Sequence, residues 1–292
     1  MNKFKGVLEQ SGLFSKLVVL FTILCFFVLV LVPVTAVIPL SGLSSTDQMK
    51  LSQLFLSIGM FILPPFVLAY LCSKKPSAYL HLDKKVKWSD AGIVILFMLL
   101  IIPFINLLGD INHRLFLPKA LEGLENWMKS SEAQATKIEE QMLQVHGYSA
   151  LLSNIFLIAI LPALGEELFF RGALIRIFQE WKGAKIAIWI TAFIFSFIHL
   201  QFYGFVPRLL MGAFFGYLLL WSGNLWLPIL AHFTNNVIAI IFYHFKFNGF
   251  TVPDIDSVGI GSTLWIGLAS GIVALIGFLW LQRRFHSQEG GI

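Results

Sequence analysis

The stretch that decides the fold is residues 17–40, which read LVVLFTILCFFVLVLVPVTAVIPL and carry no charged side chain. A helix of about 20 mainly apolar residues crosses the hydrocarbon core of a bilayer, so this run is long enough for one span. Further apolar runs follow at about 51–72, 91–109, 150–176, 185–206, 208–222, 225–245 and 262–281. The sequence therefore predicts an all-α, polytopic membrane helix bundle with about eight transmembrane helices.

The composition excludes several other classes of protein. Of the 292 residues, 57% are apolar and 13% are charged, whereas soluble domains have about 25% charged residues. The net charge of +5 does not indicate a nucleic-acid partner, because the basic residues are scattered between apolar runs. Cys25 and Cys72 lie within apolar runs without metal-ligand spacing, so neither a disulfide framework nor a structural zinc site is expected. We interpret residues 1–292 as a single membrane domain.

The basic residues indicate how the bundle is oriented. With eight spans, both termini and the loops after the second, fourth and sixth spans lie on one side, and this side receives most of the 21 Lys and Arg residues. They are Lys3, Lys5, Lys16, Lys74, Lys75, Lys84, Lys85, Lys87, Arg171, Arg176, Lys182, Lys185, Arg283 and Arg284. By the positive-inside rule this side is cytoplasmic. We expect an integral protein of a bacterial cytoplasmic (inner) membrane with both termini in the cytoplasm.

One long connection, at about 110–148, lies on the opposite, outer side. Its apolar residues recur at mixed three- and four-residue spacings, which predicts an amphipathic helix; they are Leu121, Leu124, Trp127, Met128, Ile138 and Met142. Such a helix is either an interfacial bridge between two spans or an element that covers a site and contacts substrate.

Polar side chains inside three of the spans are the candidates for function. An ionisable side chain at the bilayer centre costs about 2.5–3.5 kcal/mol on insertion scales, so each one calls for a functional explanation. The candidates are Glu166, Glu167 and Arg171 in the fourth span, His199 in the fifth, and His232 and Asn236 in the seventh. A single buried histidine is often structural, but this combination in a chain with few charges indicates a catalytic site.

Helical spacing separates the roles of these residues. Glu167 and Arg171 are spaced i,i+4 and can form an ion pair, which leaves Glu166 as the unpaired carboxylate and candidate general base. His232 and Asn236 are also spaced i,i+4, which suits the donors of an oxyanion hole. Glu166 and His199 reach the same depth near mid-membrane if the fourth helix continues past Glu166 and the fifth past His199, as the apolar residues that follow each of them permit. We therefore expect a cavity in the inner half of the bundle, open to the cytoplasm.

The motifs on these three spans resemble those of a known family. Glu166-Glu167-x-x-x-Arg171, Phe195-x-x-x-His199 and His232-x-x-x-Asn236 occur in this order, as in the CPBP family of CAAX prenyl endoproteases and bacteriocin-processing or immunity (Abi-type) membrane proteins. The resemblance covers residues 166–236, within a catalytic core predicted at about 150–245.

The resemblance implies an intramembrane endopeptidase that hydrolyses membrane-associated or lipid-modified peptides. It implies that Glu166 activates water, His199 assists, and His232 and Asn236 bind the oxyanion. A metal-independent, glutamate-dependent mechanism is favoured, with no cofactor. Zinc held by Glu166, His199 and His232 is the alternative, because two His and one Glu can form a catalytic zinc site.

Two other functions stay open at the level of sequence. Intramembrane Glu, His and Arg also occur in transporters and proton relays, although no internal repeat accompanies them here. A non-catalytic immunity or scaffold protein would keep the motifs and act by binding a partner.

Overall fold

The computed structural model describes residues 4–115, 117–144 and 146–289, with side chains as far as Phe285. The described chain is helical and contains no strand. The helices are α1 (Leu13–Val37), α2 (Ser45–Cys72), α3 (Pro76–Tyr79), α4 (Trp88–His113), α5 (Glu122–Leu143), α6 (Tyr148–Lys182), α7 (Ala184–Ile198), α8 (Phe205–Ser222), α9 (Trp226–Phe247) and α10 (Leu264–Glu289).

Seven helical segments of the described chain are long and apolar enough to cross a membrane. They correspond to the predicted spans other than 185–206, and the all-α bundle is confirmed. Their outward surface is apolar, with highly exposed side chains such as Phe21, Leu29 and Leu275. So much exposed apolar surface requires a lipid environment. The protein is an integral membrane protein.

The predicted fifth span is wrong in its second half. In place of 185–206 the structure has the 15-residue helix α7, which ends at Ile198. At 1.5 Å per residue this helix is about 22 Å long, less than the roughly 30 Å of a bilayer core. Leu200 follows with a positive φ of 54°, and a 3₁₀ turn at Phe202–Gly204 leads into α8. An apolar run does not reveal such a turn, because the residues on both sides of it face apolar surroundings.

The two ends of the bundle differ in chemistry. At one end, which we call the basic end, the loop of residues 73–87 is hydrogen-bonded to the α8–α9 turn. The N–H of Leu225 donates to the carbonyl of His81 (2.9 Å), and the amide of Asn224 donates to the carbonyl of Lys85 (3.2 Å). This end holds the lysine-rich loop that the sequence assigns to the cytoplasm.

The opposite end, which we call the α5 end, is formed around the predicted amphipathic helix. Asn112, near the end of α4, donates from Nδ2 to the carbonyl of Phe202 (3.0 Å) and accepts from the N–H of Val206 (2.7 Å). Glu132 of α5 accepts from the N–H of Tyr203 (3.3 Å). The α5 helix is therefore attached to the α7–α8 connection and does not simply bridge two spans.

The two largest apolar cores of the described residues lie on different sides of the bundle. One is built mainly from α1, α2 and α6, and the other mainly from α4, α8, α9 and α10. In the first core, α6 approaches α2 closely at Gly165, where an added Cβ would lie 2.9 Å from Cβ of Phe61. The polar residues of α6 and α9 lie where the two cores meet.

Candidate active site

Two segments of π-helix interrupt α6, at Ile155–Ile160 and Glu167–Leu174, and the second begins directly after Glu166. Such widened turns are frequent at functional sites. In a regular α-helix the carbonyl of Ile158 would accept from the N–H of residue 162, but Pro162 has no N–H. Asn236 of α9 donates to this carbonyl instead, with its Nδ2 at 3.3 Å. Pro162 thus provides the acceptor that fixes Asn236.

Glu167 and Arg171 form a fully buried ion pair. Arg171 Nη1 lies 2.8 Å from Glu167 Oε1, and the two side chains are 1% and 0% exposed. Arg171 also donates from Nη2 to the carbonyl of Gly212 (3.0 Å), where an added Cβ would lie 3.2 Å from that nitrogen. Its guanidinium carbon lies 4.7 Å from the centre of the Phe195 ring. Arg171, which the sequence assigns to the basic side, therefore lies inside the bundle.

His232 lies between the two adjacent glutamates. Its Nδ1 is 2.8 Å from Glu167 Oε1, and its Nε2 is 3.8 Å from Glu166 Oε2. The ring stacks on Phe215, with centroids 5.4 Å apart. Because Glu167 is paired with Arg171 as a carboxylate, Nδ1 of His232 carries the hydrogen and donates it. Nε2 is then a donor towards Glu166 and the cavity only when the ring is protonated.

His199 is the first residue after α7, and its tautomer is fixed by the helix end. Its Nδ1 lies 2.6 Å from the carbonyl oxygen of Phe195, and a carbonyl only accepts, so Nδ1 is the N–H. The neutral ring therefore has its lone pair on Nε2. Although the fifth helix ends earlier than predicted, His199 still lies at the site. The reason is that α7 begins next to the end of α6 and runs back along it, so that its last turn lies near the middle of α6.

One cavity of about 460 Å³ is lined by residues from each of the three motifs. Glu166, His199, His232 and Asn236 all line it. Glu167 and Arg171 do not line this cavity and reach it through His232. Glu166 is partly exposed to the cavity, at 17% of its side chain, whereas Glu167 is fully enclosed. The i,i+4 spacing therefore separates the two glutamates as expected, although both approach one imidazole.

The expectation that this cavity lies at the basic end is wrong. Its lining includes Glu139 and Leu143 of α5 and Gln201 and Gly204 of the α7–α8 connection. The cavity therefore extends from the middle of the bundle towards the α5 end. His232 lies in the part of α9 near the basic end, as its position in the sequence predicts. The sequence does not show that the cavity opens on the other side of His232, towards the α5 end.

Sequence reasoning missed several polar residues of the cavity, chiefly Arg208 of α8. Arg208 donates from Nη1 to the backbone carbonyl of Gln201 (3.1 Å) and from Nη2 to its side-chain oxygen (2.8 Å). The missed signal is that Arg208 is itself a charged residue at the start of a predicted span. Glu139 of α5 also borders the cavity, and the protein packed around its carboxylate raises its pKa, with a further contribution from Asp256.

The geometry of the described residues does not fit a zinc site. No group of three His, Cys, Asp or Glu side chains in the described part of the chain converges closely enough to hold a metal ion. This includes the set Glu166, His199 and His232 that the sequence offers for zinc.

The bundle and its buried carboxylate–histidine cavity define a class: polytopic membrane proteins with a hydrolase-like site inside the bundle. Within this class, residues 148–238 match the family described as Type II CAAX prenyl endopeptidase Rce1-like. This match agrees with the resemblance to the CPBP and CAAX protease family that the three motifs predicted. The family implies a membrane protease. No match was found among curated proteins or among solved structures.

Proposed function

We propose that this protein is an endopeptidase that hydrolyses peptide bonds of membrane-associated or lipid-modified peptides, with a catalytic core at about residues 150–245 of one membrane domain. The observation that carries the proposal is the cavity shared by Glu166, His199, His232 and Asn236. These side chains come from three helices and supply a carboxylate, two imidazoles and an amide. They are the groups that water-mediated peptide hydrolysis needs.

Glu166 is the general base in this mechanism. Its carboxylate takes a proton from a water molecule as the water oxygen attacks the scissile carbonyl carbon. The same proton then passes to the leaving amine when the carbon–nitrogen bond breaks. His199 orients the water, because the lone pair on its Nε2 can accept the water's other hydrogen. Its hydrogen bond to the Phe195 carbonyl (2.6 Å) holds the ring in that tautomer.

His232 and Asn236 stabilise the oxyanion that forms on the substrate. His232 donates to it from Nε2 when its ring is protonated, and Glu167 holds the ring in place by accepting from Nδ1 at 2.8 Å. Arg171 in turn balances the charge of Glu167. Asn236 uses one amide hydrogen on the Ile158 carbonyl, and its Oδ1 accepts from Asn235 at 3.3 Å. Its second amide hydrogen is available to the oxyanion.

The location of the cavity restricts the class of substrates that can reach it. If the basic end is cytoplasmic, as its lysines predict, the α5 end and the cavity face the outer side of a cytoplasmic membrane. The substrate is then an exported or membrane-inserted peptide or protein that approaches from the bilayer or from outside. Nucleic acid is not a partner in this proposal.

The direct test is turnover of a quenched apolar peptide by protein purified in detergent. Glu166→Gln keeps the shape of the side chain and removes the base, so turnover should fall by about 10²–10⁴-fold. Glu122→Gln is the matched control, because Glu122 is exposed on α5 and outside the cavity lining. Turnover by Glu166→Gln equal to that of the control would refute the proposed role of Glu166.

A second measurement separates the protein-only mechanism from the metal alternative. We expect full turnover after exhaustive treatment with a chelator. Loss of activity that zinc restores, together with bound zinc that disappears in His199→Ala, would replace the general-base mechanism by a metal-activated hydroxide. A cellular phenotype that survives Glu166→Gln would instead favour the scaffold or immunity function.

A further inference from the structure

A second cavity of about 340 Å³ lies at the basic end and is separate from the catalytic cavity. It is enclosed by α6, α7, α8 and the loop that follows α3. Four of its lining side chains are cationic or imidazole groups. They are His81, Lys84, Arg171 and Arg176. Arg171 is balanced by Glu167, so the remaining cations of the described lining are Lys84 and Arg176, against the single carboxylate of Asp83.

Arg176 has no anionic partner among the described residues. It is half-buried, packs against the ring of Tyr79 (5.2 Å) and has Nη1 3.3 Å from Nε2 of His81. In the described part of the chain no carboxylate lies within ion-pair distance of it. Glu180, one helical turn away, pairs instead with Lys16 at 2.7 Å. A partly buried guanidinium without an anionic partner raises the free energy of the folded protein, because its charge is partly removed from water.

His81 contacts Arg176 without neutralising its charge. Its Nε2 faces Arg176 and accepts from the guanidinium, so its hydrogen is on Nδ1, on the side of the Gly223 backbone. Burial lowers the pKa of His81, and the nearby Arg176 lowers it further. The imidazole therefore contributes no charge of its own and acts as a neutral neighbour that orients the guanidinium.

Exposed tryptophans place this cavity at the depth of lipid headgroups. Trp88, Trp181 and Trp226 all lie at the basic end and are 90%, 54% and 41% exposed. Tryptophan is enriched where a membrane protein meets the interface between hydrocarbon and water. The cavity is thus at the level where phosphate groups of lipids occur.

We propose that the cavity at the basic end binds a phosphate group through Arg176 and Lys84. Arginine binds two phosphate oxygens at once in a planar fork, and lysine adds a point charge. Lys84 is exposed and makes one long hydrogen bond, of 3.4 Å, to the Ser222 carbonyl, so its ammonium can turn to a ligand. A volume of about 340 Å³ lies in the usual range of small-molecule sites, about 300–1,000 Å³.

The phosphate can belong to an anionic lipid headgroup or to a soluble phosphate, and two measurements distinguish these sources. One titrates the detergent-solubilised protein with inorganic phosphate and follows its thermal unfolding. The other compares lipid retained by the protein, by native mass spectrometry, after reconstitution with phosphatidylcholine alone or with added phosphatidylglycerol. Saturable binding in either measurement supports the proposed phosphate site. If neither measurement shows binding, the proposal is overturned.

Variants then test whether the residues are the ones proposed. The double change Lys84→Gln and Arg176→Gln should weaken binding by about tenfold or more, as expected for lost charge-assisted hydrogen bonds. Lys85→Gln is the matched control, since it removes the adjacent loop charge without touching the cavity lining. Arg176→Lys keeps the charge and loses the planar fork, which covers the case in which the double variant does not fold.

Equal weakening by Lys85→Gln would mean attraction to the surface as a whole and would overturn the proposal. Unchanged binding in the double variant, or in Arg176→Lys where the double variant does not fold, would do the same. Neither measurement uses peptide turnover, so its outcome is independent of the proposed protease activity.

Discussion

The buried pair of Arg171 and Glu167 makes the sharpest prediction about stability. Arg171→Met removes the positive charge and keeps much of the side-chain volume. Glu167, which is 0% exposed, is then left with His232 as its one charged or polar partner among the described residues, and its Oε2 already has no hydrogen bond. Breaking a buried pair in this way costs about 3–5 kcal/mol. For a chain of this size that corresponds to a fall in Tm of about 6–20 °C.

The chain provides a matched control for this experiment. Arg114 and Asp110 form an ion pair with the same i,i+4 spacing at 2.9 Å, but Arg114 is 70% exposed. Exposed pairs contribute at most about 1 kcal/mol, so Arg114→Met should change the Tm by a few degrees or less. Both variants are measured by thermal unfolding in the same detergent.

A double variant separates the loss of the pair from the loss of the arginine. In Arg171→Met with Glu167→Gln no charge is left buried without a partner, so we expect part of the lost stability to return. An Arg171→Met protein as stable as Arg114→Met would refute the role given to the pair. A double variant less stable than Arg171→Met would show that the cost is not that of an unpaired carboxylate.

Three further predictions concern the site and its surroundings. Asn236→Ala should lower turnover by about 10²–10³-fold with little change in KM, since an oxyanion donor acts in the transition state. The pKa of Glu139 is raised in the folded state, so the folded protein loses stability as the pH rises above the pKa of this group in the unfolded chain. Glu139→Gln removes this loss, and it should therefore raise the Tm at pH 8 and leave it unchanged well below pH 4.5. The Tm is measured across pH, and a gain confined to acidic pH would contradict the prediction. Reporter fusions after Lys87 and after Glu132 should read cytoplasmic and external, and the reverse result would place the catalytic cavity on the cytoplasmic side.

The parts of the fold that sequence predicts well are those set by length and hydropathy. Seven apolar runs correspond to helices with ends close to the expected ones. The failure at residues 199–206 has a physical cause: Phe202, Tyr203 and Phe205 continue the apolar run, and the turn around Leu200 depends on packing against α4 and α5. The hydrogen bonds of Asn112 to this connection join residues about 90 positions apart, and no local pattern announces them.

The sequence predicts which residues line the candidate site better than it predicts how they are arranged. Polar residues in apolar helices identify Glu166, His199, His232 and Asn236, which all line one cavity. The same reasoning applies to Arg208, a charged residue at the start of the predicted span 208–222, which the sequence analysis passed over. The π segments of α6 were out of reach, although Pro162 leaves the Ile158 carbonyl without its usual donor and so indicates a break in the regular pattern.

The two adjacent glutamates have different surroundings because they face opposite nitrogens of one imidazole. Glu167 faces Nδ1 of His232 and forms a buried ion pair with Arg171. Glu166 lies 3.8 Å from Nε2, on the open side of the same ring, where it can exchange a proton with water or substrate. Protonation of His232 would bring a donor to face Glu166 and the cavity at the same time. The ring of His232 therefore connects the buried Arg171–Glu167 pair to Glu166 by direct contact, so a change at Arg171 should lower turnover as well as stability.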